Sequence, residues 1–364
     1  MTKARDIADN AGKDSGSKNI IVNGAMKIAQ RSVSETGLGS ADGYFTVDRF
    51  KIDVATASAG RFTMSQHSDG PSGFANCIKL DCTTADTSIA AGERLILRHI
   101  IEGQDLQQLK KGTSDAETFT VSFYVKGDAA ATYSLSLYDG DNGRMISQTF
   151  NVTTSWNRIE LTFAGDTTGA FDDDNGASLF LDIFLHAGTD YTSGTLQTSW
   201  GANANANRAV GISSFFDSTN REFYITGYQL EVNDKATDFE HRTFGDELAR
   251  CQRYFYKTQT GGGTAEYFYT ILDGASSDYI IAFLDFPTSM RAVPSGTTTH
   301  NGALYYNTGS GGTNFTPTGG SDFSAGVTED RGRIGQATIT NNPGSTHVQK
   351  LGQWYCAGEF DAEL

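Results

Sequence analysis

From Asn19 onward, apolar and polar residues alternate in short runs. Phe119, Val121, Phe123 and Val125 are separated by Thr120, Ser122 and Tyr124. Tyr133, Leu135 and Leu137 alternate with serines, and Ile159, Leu161 and Phe163 alternate with Glu160 and Thr162. Such alternation puts every second side chain on one face, so each run predicts a strand with one buried side. Leu179 to Leu185 is almost continuously apolar, broken by Asp182, which predicts a central strand. Turn formers stand between the runs. Asp139-Gly140-Asp141-Asn142-Gly143 reads as a hairpin turn, and Gly165-Asp166 and Asp174-Asn175-Gly176 read the same way. Strands in series without helical periodicity between them predict an all-β fold, an antiparallel β-sandwich or jelly roll.

The pattern then changes twice. Phe223 and Ile225 share one parity, whereas Tyr228, Leu230 and Val232 share the other, and the switch falls at Gly227. A β-bulge there would let both halves face one core; a plain strand end is the other reading. Leu248, Cys251 and Phe255 recur at helical spacing, with Asp246 and Glu247 ahead and Arg250 and Arg253 behind. That charge order suits a short helix from about Asp246 to Arg253. Beyond it, Tyr267 to Leu272 and Tyr279 to Phe286 predict strands around an Asp273-Gly274 turn. Ser295 to Gly326 reads as an exposed loop or as very short strands, and Gln353 to Cys356 as a last strand. The polar segment before Asn19 reads either as a floppy tail or as an arm that orders on a partner, with one helical turn around Arg5, Asp6 and Ile7. The expected organisation is an N-terminal arm over 1–18, a jelly roll over 19–245, a helix and linker over 246–256, and a smaller β domain over 257–364.

Composition narrows the function. The 23 Phe, 15 Tyr and 3 Trp can build a core in a chain that is only 38% hydrophobic. A formal charge of −15 argues against nucleic acid as the main partner, because phosphate binding needs clustered Lys and Arg. Neither an apolar leader nor a membrane-spanning run is visible, so we expect synthesis without secretion and no membrane insertion. Cys77, Cys82, Cys251 and Cys356 form no CxxC pair, and Cys77 and Cys82 fall on opposite sides of one strand; free thiols are expected.

Chemistry is sparse. The six histidines show no metal or protease spacing, and no nucleophile elbow or phosphate loop occurs. We therefore expect no catalytic residue, no cofactor and no dedicated metal site, with a glycan-cleaving carboxylate pair the one enzymatic route left open. Asp139-x-Asp141-x-Gly143 and the run from Asp172 to Asn175 offer oxygen ligands for calcium, but a hairpin turn explains the first better. Tyr191 and Trp200 stand in turn-rich sequence and are candidates for surface recognition; packing over a long loop or at a subunit contact is the alternative. Trp156 begins a strand and reads as core.

Several segments resemble a known family. Asn19 to Arg31, "NIIVNGAMKIAQR", resembles the opening of many phage virion and tail-fibre proteins. Tyr44 to Phe50, Phe119 to Lys126 and Thr154 to Arg158 resemble later elements of that family, in the same order. Gly227 to Tyr256, "GYQLEVNDKATDFEHRTFGDELARCQRYFY", is the most specific, and the ending "FDAEL" is also similar. Ala29 stands where the family has an aromatic, and Asp238 where it has proline. The resemblance implies a carbohydrate-binding-module-like jelly roll on a virion, most often in a tail fibre. It further implies a homotrimer, attachment to tail or adaptor proteins through Arg5, Asp6 and Ile7, and contact with host-surface glycan or protein. A capsid-bound decoration protein of the same fold is the alternative, and a glycan-degrading fibre a more distant one. Glu240, His241 and Arg242 would lie where the chain leaves the first domain, placed for inter-domain or inter-subunit contacts.

Overall fold

The computed structural model describes residues 18–55, 58–257, 267–272, 279–300, 304–307, 312–315, 328–338 and 350–364. The expected arm, with Arg5, Asp6 and Ile7, lies outside the described residues, as does the Asp273-Gly274 turn. The chain forms two compact units, Met1–Glu247 with Leu364, and Leu248–Glu363.

The first unit is an antiparallel jelly-roll sandwich. Its strands are β1 (Ser34–Leu38), β2 (Gly43–Tyr44), β3 (Lys51–Ala55), β4 (Arg61–His67), β5 (Cys77–Thr84), β6 (Arg94–Glu102) and β7 (Phe119–Gly127). They continue as β8 (Ala131–Asp139), β9 (Arg144–Val152), β10 (Asn157–Phe163), β11 (Ala177–Ala187), β12 (Gly201–Ala202) and β13 (Glu222–Glu231). One sheet has six strands in the order β1-β4-β5-β13-β7-β10, and the other has seven in the order β12-β9-β8-β11-β6-β3-β2. The alternating residues of the sequence meet between the sheets. Phe123 packs edge-on to Phe150 and Tyr228 at 5.1 and 5.4 Å, and Tyr133 meets Phe223 at 5.6 Å. Large rings thus supply the apolar area that a chain poor in aliphatics needs.

Gly227 is a bulge. The β13–β7 register slips between Thr226 and Gln229, and Gly227 has φ +64. Phe223 and Ile225 before it, and Tyr228 and Leu230 after it, all enter the same core. Asp139 to Arg144 closes the β8–β9 hairpin as expected. Gly165-Asp166 and Asp174-Asn175-Gly176 do not make hairpins, because β10 belongs to one sheet and β11 to the other, so the chain crosses between sheets there. Trp156 also departs from expectation. Its parity is opposite to that of Ile159, Leu161 and Phe163, so it lies outside the core, 6.2 Å from Tyr224.

The motif-bearing segments form a clasp. Arg242 donates through Nη1 to Ile21 O at 2.9 Å and through Nη2 to Asn19 O. Glu240 accepts the Asn19 amide at 2.7 Å, and Glu247 accepts the Asn23 amide at 2.5 Å. Asn23, at φ +62, donates from its side chain to Ile28 O and Asp48 O and accepts Ile28 N–H. Gln229 accepts Glu240 N–H, and Glu231 accepts both Thr237 N–H and its hydroxyl. Glu240 and Arg242 therefore hold the first segment of their own unit to its last. Each otherwise orphaned backbone group gains a partner, which is why the two distant stretches carry such defined sequence.

A helix runs from Phe244 to Gln252, and Thr243 caps it by accepting Asp246 N–H at 3.2 Å. In the second unit, Phe255–Lys257, Tyr267–Leu272 and Ser295–His300 all pair with the long strand Lys350–Asp361. Tyr279–Asp285 pairs with Arg331–Thr338. The two strands around Asp273-Gly274 thus each bond to a later strand instead of to one another, and the last strand extends well beyond Gln353–Cys356. Leu304–Asn307 and Gly312–Phe315 form a small ladder inside the glycine-rich stretch.

Candidate functional site

Strand pairing sorts the outer face of the seven-stranded sheet into rows. Tyr44, Lys51, Arg98, Asp182, Ser136 and Ser147 lie side by side across β2, β3, β6, β11, β8 and β9. The next row holds Ile100, Phe180, Tyr138 and Met145. Asp182, which broke the apolar run of β11, points away from the core because its neighbours Leu181 and Ile183 point into it.

Two carboxylates organise this face. Arg98 grips Asp182 with Nε at 2.5 Å and Nη2 at 2.9 Å, and its Nη1 reaches Asp53. Arg94 Nε holds the other Asp53 oxygen at 2.7 Å, and Arg208 Nη2 holds Asp182 at 2.6 Å. Burial opposes ionisation of Asp182, but Arg98 and Arg208 outweigh it and keep the carboxyl below its ordinary range. The arginines also meet rings. The Arg98 guanidinium lies 5.2 Å from the Phe180 centroid, and that of Arg208 lies 5.5 Å from Tyr138. Phe180 and Tyr138 are 5.6 Å apart, and both are half-buried, as is Tyr44 at the sheet edge.

The connection after β11 covers part of the face. Tyr191 is only 7% exposed; its ring packs on Phe184 at 5.8 Å and its hydroxyl accepts from Arg94 Nη1 at 2.5 Å. Arg208 crosses the sheet and donates from Nε to Ser136 Oγ at 3.1 Å. Trp200 is half-buried, leans on the main core and donates its indole N–H to Ala164 O at 2.8 Å. Tyr191 and Trp200 bond to partners 97 and 36 positions away in sequence, and neither joins the Phe180 and Tyr138 pair. Phe180, Tyr138 and Arg98 are the residues that motif reasoning missed. Their signal was parity: Tyr138 and Phe180 have the out-facing parity of strands whose in-facing residues are Leu137 and Leu181.

The other outer face also carries half-buried rings, Phe74, Tyr124, Trp156 and Phe239, but they pack on one another or under lysines. Tyr224 is 6% exposed, with Lys126 at 4.5 Å and Lys79 at 5.5 Å over its ring. Phe74 stacks against Tyr124, Phe239 and His241 at 5.0 to 5.4 Å, over the bulge glycine.

Two further constellations are structural in geometry. The Lys111 ammonium, almost fully buried, lies 2.5 Å from Asp139 and 3.2 Å from Asp166, and donates to Thr168 O and Gly169 O. The carboxylate of the calcium-like sequence is thus paired with a lysine. Among the described residues, no three His, Cys, Asp or Glu side chains group as metal ligands. His186 lies between Ser214 Oγ at 2.8 Å and Glu93 at 3.2 Å, an order reminiscent of a hydrolase relay. The imidazole is fully buried, and Ser214 Oγ already accepts Phe216 N–H. Cys77 and Cys82 are free thiols and buried, and burial pushes them up to about 11; Cys251 is buried as well. No described helix is long and apolar enough to cross a membrane.

No family model matches the chain, and no curated protein matches it. Solved structures with similar strand arrangements include the xylan-binding CBM22-1 domain from Paenibacillus barcinonensis, at 12% identity and TM-score 0.29, covering 61% of this chain and 100% of that one. A family 11 carbohydrate-binding module from Clostridium thermocellum overlaps at 11% identity and TM-score 0.27, over 58% of this chain and 99% of that one. The enzymatically active domain of a bacteriophage tailspike protein overlaps at 10% identity and TM-score 0.30, over 59% of this chain and 22% of that one. Overlaps this loose do not transmit a function.

Proposed function

We propose that this chain is a structural and adhesive protein of a phage particle, of the tail-fibre kind, and that its sandwich binds host-surface glycan on the outer face of the seven-stranded sheet. The binding half is carried by one observation: Phe180, Tyr138 and Tyr44, all half-buried, share one sheet face with hydrogen-bonding arginines and carboxylates. Ring faces stack on the apolar faces of sugars, and charged groups held by their neighbours take the hydroxyls without losing further freedom. From Tyr44 to Phe180 is three strand intervals, about 14 Å, which suits an extended chain more than a single sugar. The virion half is supported by the ordered motifs from Asn19 to Tyr256. In this reading the protein is a non-enzymatic homotrimer, anchored to the tail by its N-terminus.

Imaging of particles carrying the labelled protein tests the placement. Label at the tail supports it, and label confined to the capsid replaces it with a decoration protein of the same fold. Light scattering of the purified chain tests the trimer, which a monomer mass at micromolar concentration would contradict.

A further inference from the structure

We infer that the glycan taken by this face is anionic, bearing carboxylate or sulfate groups; this rests on the glycan-binding reading above. Four cations, Lys51, Arg94, Arg98 and Arg208, stand on or across the face against two carboxylates, Asp53 and Asp182. Each carboxylate is already shared by two guanidinium groups: Asp53 by Arg94 and Arg98, and Asp182 by Arg98 and Arg208. Arg31 and Asp42, at the margin, add one charge of each sign. Asp53 and Asp182 are thus fully engaged while cationic donors remain; the exposed Asp42 holds the Val54 amide. The Lys51 ammonium has no hydrogen bond or ion pair among the described residues, and lies 5.8 Å from the Tyr44 ring. Arg94 commits Nε and Nη1, and its Nη2 bonds to nothing among the described residues, in a side chain 25% exposed.

This positive excess sits on a chain of formal charge −15. A neutral sugar would stack on the rings and leave the excess uncompensated. An anionic sugar chain gains charge-assisted hydrogen bonds from the same donors, and those bonds are the stronger kind. Charges elsewhere on the surface act weakly at this distance, since physiological salt screens them beyond about 8 Å.

The test is calorimetric titration of the full chain with polygalacturonate, a sulfated carrageenan and neutral laminarin, repeated with Lys51→Gln. We expect an anionic polymer to bind about tenfold or more tighter than laminarin. Lys51→Gln should weaken that binding about fivefold and leave laminarin unchanged. The two anionic polymers separate a carboxylate from a sulfate preference. Equal binding of neutral and anionic polymers, or anionic binding indifferent to Lys51→Gln, overturns the inference and leaves the glycan-binding face standing. Absence of binding to every polysaccharide, including envelope sugar of the host, removes both. A melting curve of Lys51→Gln matching the parent shows that a loss is local.

Discussion

On the six-stranded sheet, Gln229 and Glu231 lie beneath the Thr237–Glu240 segment, and Tyr224 lies beneath two lysines. On the seven-stranded sheet, Phe180 and Tyr138 stand half-buried beside a lattice of arginine and aspartate. Both faces are polar, aromatic and tightly hydrogen-bonded. What differs is where the bonds go. On the first face they run to backbone groups of the clasp, and serve to fix the chain's path. On the second they run among side chains, and hold charged donors still beside half-buried rings. Polar groups bonded to backbone belong to architecture, whereas polar side chains locked to one another beside half-buried rings suit a ligand.

That contrast can be broken at several points. The largest effect is expected from Asp182→Ala, which leaves Arg98 and Arg208 buried without their shared anion; we expect a loss of about 3–5 kcal/mol in urea unfolding. Binding should fall with it, since Arg98 loses its fixed position. Asn23→Ala removes three buried side-chain hydrogen bonds at a left-handed residue of the clasp, and should cost about 2–4 kcal/mol. Folded Asn23→Ala protein should nonetheless bind glycan as the parent does; weakened binding would mean that the two faces are coupled.

A pH effect belongs to neither face. His99 is buried between the sheets, against Phe50 and Tyr228, and burial holds it well below the ordinary imidazole value. The unfolded chain takes up the proton near pH 6.5 while the folded chain does not, so stability is full above that value and declines as pH falls below it. From pH 7 to 5 this amounts to about 2 kcal/mol for one such histidine. His99→Phe should flatten that part of the profile, as followed by thermal melts. Glycan binding, which depends on arginines and on an aspartate held ionised, should barely change over the same range. The smallest effect is expected from Lys126→Ala on the six-stranded face. Its pairing with Asp69 is partly exposed, so stability should fall by about 1 kcal/mol or less and binding should not move.

The sandwich was legible because its core rests on period-2 runs such as Phe119 to Val125, and the Gly227 bulge was legible as a parity switch. The sheet assignment of β10 and β11 was not legible: a turn signal such as Gly165-Asp166 reports a change of direction and not the sheet the next strand joins. The candidate face was hidden for a related reason. Tyr138, Arg98, Asp182 and Phe180 lie on three strands, and only their register brings them together. Tyr191 and Trp200 drew attention because their neighbours are turn formers, yet loop composition says nothing about what the loop lies upon. Here the loop lies on the sheet, and Tyr191 closes over Phe184. The motifs around Asn23 and Arg242 were conspicuous in the sequence, and the structure spends them on the clasp.

The binding face is tested most directly by calorimetric titration of envelope polysaccharide from the host into the parent protein and into the Tyr138→Ala/Phe180→Ala variant. The parent should bind, and the variant should lose about tenfold or more in affinity, about 1.4 kcal/mol, while keeping a cooperative melt. Undiminished binding by the variant would contradict the assignment of this face.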